Sequence, residues 1–363
     1  MLDAPALPPP AVVAPAPREV SFGLVAGRAP LGTRKVIVHV GRYVVAESPL
    51  RGRSFSLQVP MSAGPTSVRV TVVDGRNRRS SRLVEQVLAL PRNSAPLDAA
   101  PRLDPVLAAR LNRLRQGHGG VHAMYVQDLR SGRGAAWNAK ARFPAASTLK
   151  LAIAVTVLRR LDGKPTPGSR LSTLIGRMLV VSDNDAANEL EAWIGGSVYA
   201  GSDRVNETMR ALGLQDTLMY GGYASGRRSA AASPRIPIRV ESQPSFGRGK
   251  YTTAADLARL ARAVYLAGAG KGPLLRLGVS GSEARYLLWV LAQVSDRGKL
   301  DRFLPSAVIM HKAGWITGAR HDNGIVALYG GAFVAAVMTW QTPDADELAG
   351  QVALTAFNRF SPG

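Results

Sequence analysis

Residues 143–161 read FPAASTLKLAIAVTVLRRL, and one lysine, Lys150, interrupts an otherwise apolar run. From Leu149 to Leu158 the pattern predicts a helix buried on nearly every face, with Ser147 placed to cap its first turn. An ammonium in such a place loses its hydration, so a lowered pKa or a dedicated partner is expected. Ser147 lies three positions earlier, which puts its hydroxyl on the same helix face as the Lys150 amine. A desolvated lysine beside a hydroxyl at a helix start is the layout of an activated serine nucleophile.

Two further short motifs follow in order. Ser182-Asp183-Asn184 lies within VVSDNDAANELEAWIGG, and Lys312-Ala313-Gly314 lies within MHKAGWITGARHDNGIVAL, where a strand is expected to begin. Taken singly each has a plain reading. Ser147 serves as an N-cap, Ser-Asp-Asn as a helix cap or turn, and Lys312 as a solvated strand residue. Their order along one chain favours a common site. His321-Asp322 invites a metal or acid–base reading. No spaced set of His, Asp and Glu accompanies it, so a strand residue bordering a cleft is the expectation and no metal is called for.

The ordered set resembles the serine, Ser-Asp-Asn and Lys-Thr-Gly elements of class A β-lactamases and penicillin-binding proteins. FPAASTLK, SDNDAANEL followed by IGG, and the strand-turn VQDLRSG extend the resemblance over residues 105–361. It implies an acyl-enzyme mechanism with neither cofactor nor metal. Ser147 would be the nucleophile, with Lys150 taking its proton. Ser182 would pass a proton to the leaving nitrogen, with Lys312 polarising it. Asn184 would bind the substrate's side-chain amide. Backbone N–H groups of Ser147 and Trp315, the latter following Gly314, would form the oxyanion hole.

Three departures accompany the resemblance. The family's Glu-x-x-Leu-Asn, whose glutamate activates the deacylating water, is absent; its expected position falls near Tyr223 in MYGGYASG, and the nearest later carboxylate is Glu241. Ala313 replaces the hydroxyl of Lys-Thr-Gly, leaving Thr317, Arg320 or His321 to hold a substrate carboxylate. Only 35 positions separate Ser147 from Ser182, so one lip of the cleft is expected to be trimmed. Acylation chemistry survives these changes, whereas deacylation is expected to be slow. A cell-wall D,D-peptidase or esterase on the same scaffold, or a non-catalytic peptidoglycan-binding or envelope-binding protein, stays open.

Outward from this region the chain divides. Residues 1–19 are Pro/Ala-rich and predict a tether whose upstream leader is missing. Residues 20–92 alternate apolar with polar in short Val-rich runs around turns such as VVDGRN, predicting a small immunoglobulin-like β-sandwich. Residues 93–104 form a Pro-rich linker. Residues 105–363 mix helices and strands, predicting an α+β catalytic domain: an antiparallel sheet built from both of its ends, plus a helical subdomain.

The whole chain of 363 residues has no cysteine, which excludes disulfides, thiolate metal sites and a cysteine nucleophile. Its formal net charge is +21, mostly from scattered arginines. Such a body suits polyanions as partners, whether nucleic acid, anionic lipid or cell-wall polymers, although a solvated arginine-rich surface is the plainer reading. No nucleic-acid module is recognisable, and aromatics make up only 6% of residues. The longest apolar run, GIVALYGGAFVAAVMTW, is divided by Gly330-Gly331 and predicts a hairpin rather than a membrane span. The expected location is the cell envelope or beyond, the expected substrate a β-lactam or a peptidoglycan peptide.

Overall fold

The computed structural model describes residues 6–223, 233–237, 242–328 and 330–361. The chain forms two compact units, Met1–Ala95 and Pro96–Gly363.

The first unit is all-β. Its strands are β1 (Ala11–Ala14), β2 (Glu19–Ser21), β3 (Leu24–Arg28), β4 (Thr33–Val40), β5 (Tyr43–Pro49), β6 (Ser54–Gln58), β7 (Gly64–Asp74) and β8 (Arg79–Ala89). They form a five-stranded sheet, β2-β8-β7-β4-β5, and a three-stranded one, β1-β3-β6. The period-two pattern explains the core. Val36 and Val38 pair with Val72 and Val70 in register, and this valine layer shares one cluster with Val25 and Phe55 of the smaller sheet. The VVDGRN turn closes on Asp74, whose carboxylate accepts from the Arg76 and Arg78 backbone N–H groups at 2.9 Å each. The Pro/Ala-rich start departs from the expected tether. Ala11–Ala14 form β1 and pair with β3, because their small apolar residues fit a sheet edge.

The second unit begins with β9 (Arg102–Leu103), α1 (Pro105–Gln116), β10 (Val121–Asp128), β11 (Arg133–Trp137) and β12 (Phe143–Pro144). A 3-10 turn, Ala146–Leu149, leads into α2 (Lys150–Leu158), followed by α3 (Arg170–Val180), α4 (Asn184–Gly195) and α5 (Val198–Ala211). Then come β13 (Tyr251–Thr252), α6 (Ala254–Gly268), α7 (Pro273–Arg276) and α8 (Gly281–Leu291). The chain closes with β14 (Val308–Ile316), β15 (Ala319–Leu328), β16 (Gly331–Trp340) and α9 (Ala345–Phe360).

The sheet order is β14-β15-β16-β10-β11-β9. Antiparallel pairing of β10 with β16, from Val121↔Trp340 to Asp128↔Phe333, joins the first long strand of this unit to its last. Every residue of β16 is buried, which requires cover on both faces; α9 packs on one and α6 on the other. Asp104 ties the ends together. It caps α1 through the Leu107 N–H, at 3.1 Å, and its carboxylate meets Arg133 and Arg359 at 2.6 and 3.0 Å. The edge strand β14 borders the 3-10 turn that carries Ser147, and that turn leads into α2, which packs on α3, α4 and α5. Among the described residues no helix is long and apolar enough to cross a membrane.

Candidate active site

All nine residues of α2 are buried, Lys150 included, as its all-round apolar sequence requires. Ser147 departs from the expected N-cap. It lies within the 3-10 turn, no side chain caps either short helix, and the turn begins at Ala146 with φ 48°. That left-handed backbone in an alanine marks local strain next to the half-buried serine.

The Lys150 ammonium has lost its water but not its partners. Nζ donates to the Ser182 carbonyl at 2.5 Å, to Asn184 Oδ1 at 2.7 Å and to Ser182 Oγ at 3.2 Å. Burial, then the Lys312 charge and, more weakly, Lys250, pull its pKa down to about 7, against the opposing Asp183. Lys312 approaches from β14, its Nζ 3.1 Å from the same Ser182 Oγ and 2.7 Å from the Ala313 carbonyl. Its pKa falls to about 8, chiefly through burial, while Asp296 and Asp322 oppose the fall. Ser182 Oγ thus stands between two lysines, and its own backbone is left-handed at φ 59°.

The Ser-Asp-Asn triplet divides its labour. Asp183 is a helix cap in the ordinary sense: Oδ1 accepts from Ala186 N–H at 2.9 Å, and Oδ2 holds Arg177 Nη2 at 2.5 Å. Those bonds hold its carboxyl below the usual range. Its neighbours Ser182 and Asn184 turn to Lys150 instead. Gly314 is dictated by space. A Cβ there would fall 2.7 Å from the Ser147 nitrogen and 2.8 Å from the Thr148 nitrogen.

Other candidates lie elsewhere. His321 does not border a cleft. It is fully buried, Nε2 lies 2.8 Å from the Pro144 carbonyl, and Nδ1 accepts the Thr339 N–H at 3.2 Å. Burial lowers its pKa to about 4, so it is a neutral structural residue. Asp322 faces the other side of the sheet and bonds His311 Nδ1 at 2.9 Å. Trp315 and Thr317 are exposed on the β14–β15 hairpin, and Arg320 pairs with Asp346 at 3.1 Å. Glu241 lies outside the described residues.

Three residues escaped the sequence reading. Tyr223, near the place counted for the missing glutamate, is gripped at both backbone atoms by Asn188, at 2.6 and 2.8 Å. Its buried ring receives two cations, Lys150 Nζ at 4.6 Å and Lys250 Nζ at 4.2 Å from the centroid. Lys250 also donates to the Gly222 carbonyl at 2.9 Å. Glu191, buried in α4, accepts from Ser202 Oγ at 2.8 Å. The tripeptide motifs had no analogue for Tyr223 or Lys250. The SDNDAAN spacing, which sets Asn188 one turn beyond Asn184, was the available signal for the Tyr223 clamp.

The profile of a family described as "Beta-lactamase enzyme family" matches residues 106–166 and 164–360. The chain belongs to the beta-lactamase enzyme family. Solved structures share its fold. PBP-A aligns with a TM-score of 0.57 and 22% identity, over 72% of this chain and 98% of that one. A mutant of PBP-A, solved as an acyl-enzyme complex with penicillin G, aligns with a TM-score of 0.56 and 22% identity over the same shares. A beta-lactamase from Sphaerobacter thermophilus DSM 20745 aligns at 0.55 and 21%, over 72% of this chain and all of that one. No curated protein matches the sequence. Within this family fold, Lys150, Ser182, Asn184 and Lys312 share one hydrogen-bonded cluster, and the Ser147 backbone nitrogen abuts Gly314 of β14 beside it.

Proposed function

We propose that the protein is a serine acyl-transfer hydrolase that forms a slowly released acyl-enzyme with β-lactams or with peptide amides of the cell wall. The observation that carries this reading is Ser182 Oγ held between Lys312 and Lys150, the latter three positions after Ser147 in the chain. Lys150, with its pKa near neutrality, is available as a free amine. Ser147 Oγ attacks the carbonyl carbon while its proton passes to Lys150. The Ser147 and Trp315 N–H groups receive the developing oxyanion. As the C–N bond breaks, the leaving nitrogen takes a proton through Ser182 Oγ, which Lys312 polarises and Lys150 reprotonates. The product is an ester on Ser147.

Release of that ester requires a base to activate water. The ring of Tyr223 faces Lys150 near the position counted for the family's glutamate, and a buried phenol whose pKa is raised well above its ordinary value is no base at neutral pH. Mixing the protein with a chromogenic cephalosporin tests the reading. A burst approaching one equivalent, followed by slow turnover and abolished in Ser147→Ala, is the expected result. Rapid linear turnover without a burst refutes slow release. An inert Ser147 favours a binding protein instead.

We also infer an envelope or extracellular location, an immunoglobulin-like kinship for the first unit, and attraction of the +21 surface to anionic wall polymers. Binding to such polymers should weaken steeply with salt; salt-independent binding, or none at low salt, would remove that partner.

A further inference from the structure

The tip of the β14–β15 hairpin builds a groove of about 470 Å³ whose lining side chains take no part in the acyl-transfer steps. Trp315, Thr317 and Arg320 line it from the hairpin, Gln341 and Thr342 from the corner between β16 and α9. The corner is tied to the hairpin by the Gln341 N–H, which donates to the Gly318 carbonyl at 2.6 Å, and Gln341 is itself left-handed at φ 51°.

Two features define what the groove accepts. Trp315 is 63% exposed, so a flat indole stands in water beside the cavity. The rim is polar without being charged overall: two threonine hydroxyls, a carboxamide, and an Arg320 guanidinium whose charge Asp346 balances at 3.1 Å. An aliphatic ligand would strand those polar groups, and an acidic one would find its countercharge already engaged. A sugar ring meets both demands. Its C–H face lies on an indole, and its hydroxyl and acetamido edges exchange hydrogen bonds with threonine, carboxamide and guanidinium groups.

We propose that this groove is a saccharide-binding subsite for a short, neutral glycan. Its position gives the binding a use. Gly314 abuts the Ser147 nitrogen, and Trp315 is the next residue, its side chain on the opposite face of β14. A glycan seated on Trp315 therefore lies across the edge strand β14 from Ser147, and a peptide attached to that glycan would reach the acylation centre around the strand's free edge. This use rests on the acyl-transfer reading; the sugar binding does not.

The test separates the two. Calorimetric titration of Ser147→Ala with the trimer of β-1,4-linked N-acetylglucosamine measures sugar binding without acylation. Saturable binding is expected. It should weaken roughly tenfold or more in Trp315→Ala on the same background, recover in part in Trp315→Tyr, and weaken severalfold in Thr342→Ala. Circular dichroism and thermal melting verify that the variants fold. No saturable heat at tens of millimolar sugar, binding indifferent to Trp315, or displacement of the sugar by a polyglutamate peptide would overturn the proposal. Penicillin acylation of the unaltered chain without sugar reports separately on Ser147.

Discussion

Tyr223 presents its ring to the Lys150 ammonium, with Nζ 4.6 Å from the centroid, and Asn188 holds the tyrosine there by both backbone atoms. The backbone position is therefore fixed independently of the side chain. Tyr223→Glu should place a carboxylate beside Lys150, at the position counted for the family's glutamate, and raise steady-state cephalosporin turnover by roughly tenfold or more, since a positioned general base contributes 10²–10⁴-fold. The burst should shrink as release accelerates. Unchanged turnover would mean that water has no path to the ester from this side. Tyr223→Phe isolates the hydroxyl, which is buried without a hydrogen-bond partner among the described residues. Its loss should leave the melting temperature unchanged or higher, because an unsatisfied buried polar group costs about 1–3 kcal/mol.

Replacing the opening lysine separates charge from shape. Lys150→Met removes a buried cation and keeps an unbranched side chain, so the fold should persist. Acylation by penicillin should fall by a factor on the order of 10² or more. Stopped-flow or intact-mass kinetics at neutral pH decide the matter; undiminished acylation removes Lys150 from the mechanism.

The α+β fold of the second unit was legible through the ordered motifs and the family they resemble, and the burial of Lys150 through local pattern. The apolar run of α2 demanded burial, and a buried Lys150 demanded oxygen partners, which Ser182 and Asn184 supply. What stayed hidden depends on contacts between distant segments. Lys250 reaches Tyr223 across 27 positions, and nothing in RGKYTT marks it as facing a ring. His321 read as a residue at the cleft, but its face of β15 is closed by the Pro144 carbonyl, a contact that strand alternation does not report. The capping role expected of Ser147 failed for a local reason: the chain enters α2 through a 3-10 turn, so no extended N-cap residue precedes it.

Lys250 should tune the base through space. The charges acting on Lys150 are Lys312 and Lys250, which disfavour its protonation, and Asp183, which favours it. Because the free amine accepts the Ser147 proton, acylation should rise with pH through about 7 in the unaltered chain. Lys250→Met removes one positive charge, so Lys150 holds its proton more tightly and this limb moves to higher pH. The plateau rate at high pH should change little. A lower plateau with an unmoved limb would show that Lys250 acts by shaping the Tyr223 loop instead.

Glu191 carries the last prediction. The carboxyl is fully buried, with Oε1 bonded to Ser202 and Oε2 without a partner among the described residues. Burial raises its pKa from 4.5 to about 7, against smaller opposing effects of Ser202 and Lys250. In the unfolded chain the group ionises at its ordinary value, so the folded state binds the extra proton between the two. Its contribution to stability is therefore fully present below pH 4.5 and is lost as pH rises through about 7. The loss amounts to roughly 3 kcal/mol at full ionisation, at 1.36 kcal/mol per pKa unit. Glu191→Gln keeps the shape and the acceptor for Ser202 but cannot ionise. Denaturant melts at pH 5 and pH 8 should show the unaltered chain losing this increment of stability at the higher pH relative to the variant. Parallel pH dependences in the two proteins would show that Glu191 is protonated across the range or reaches water when charged.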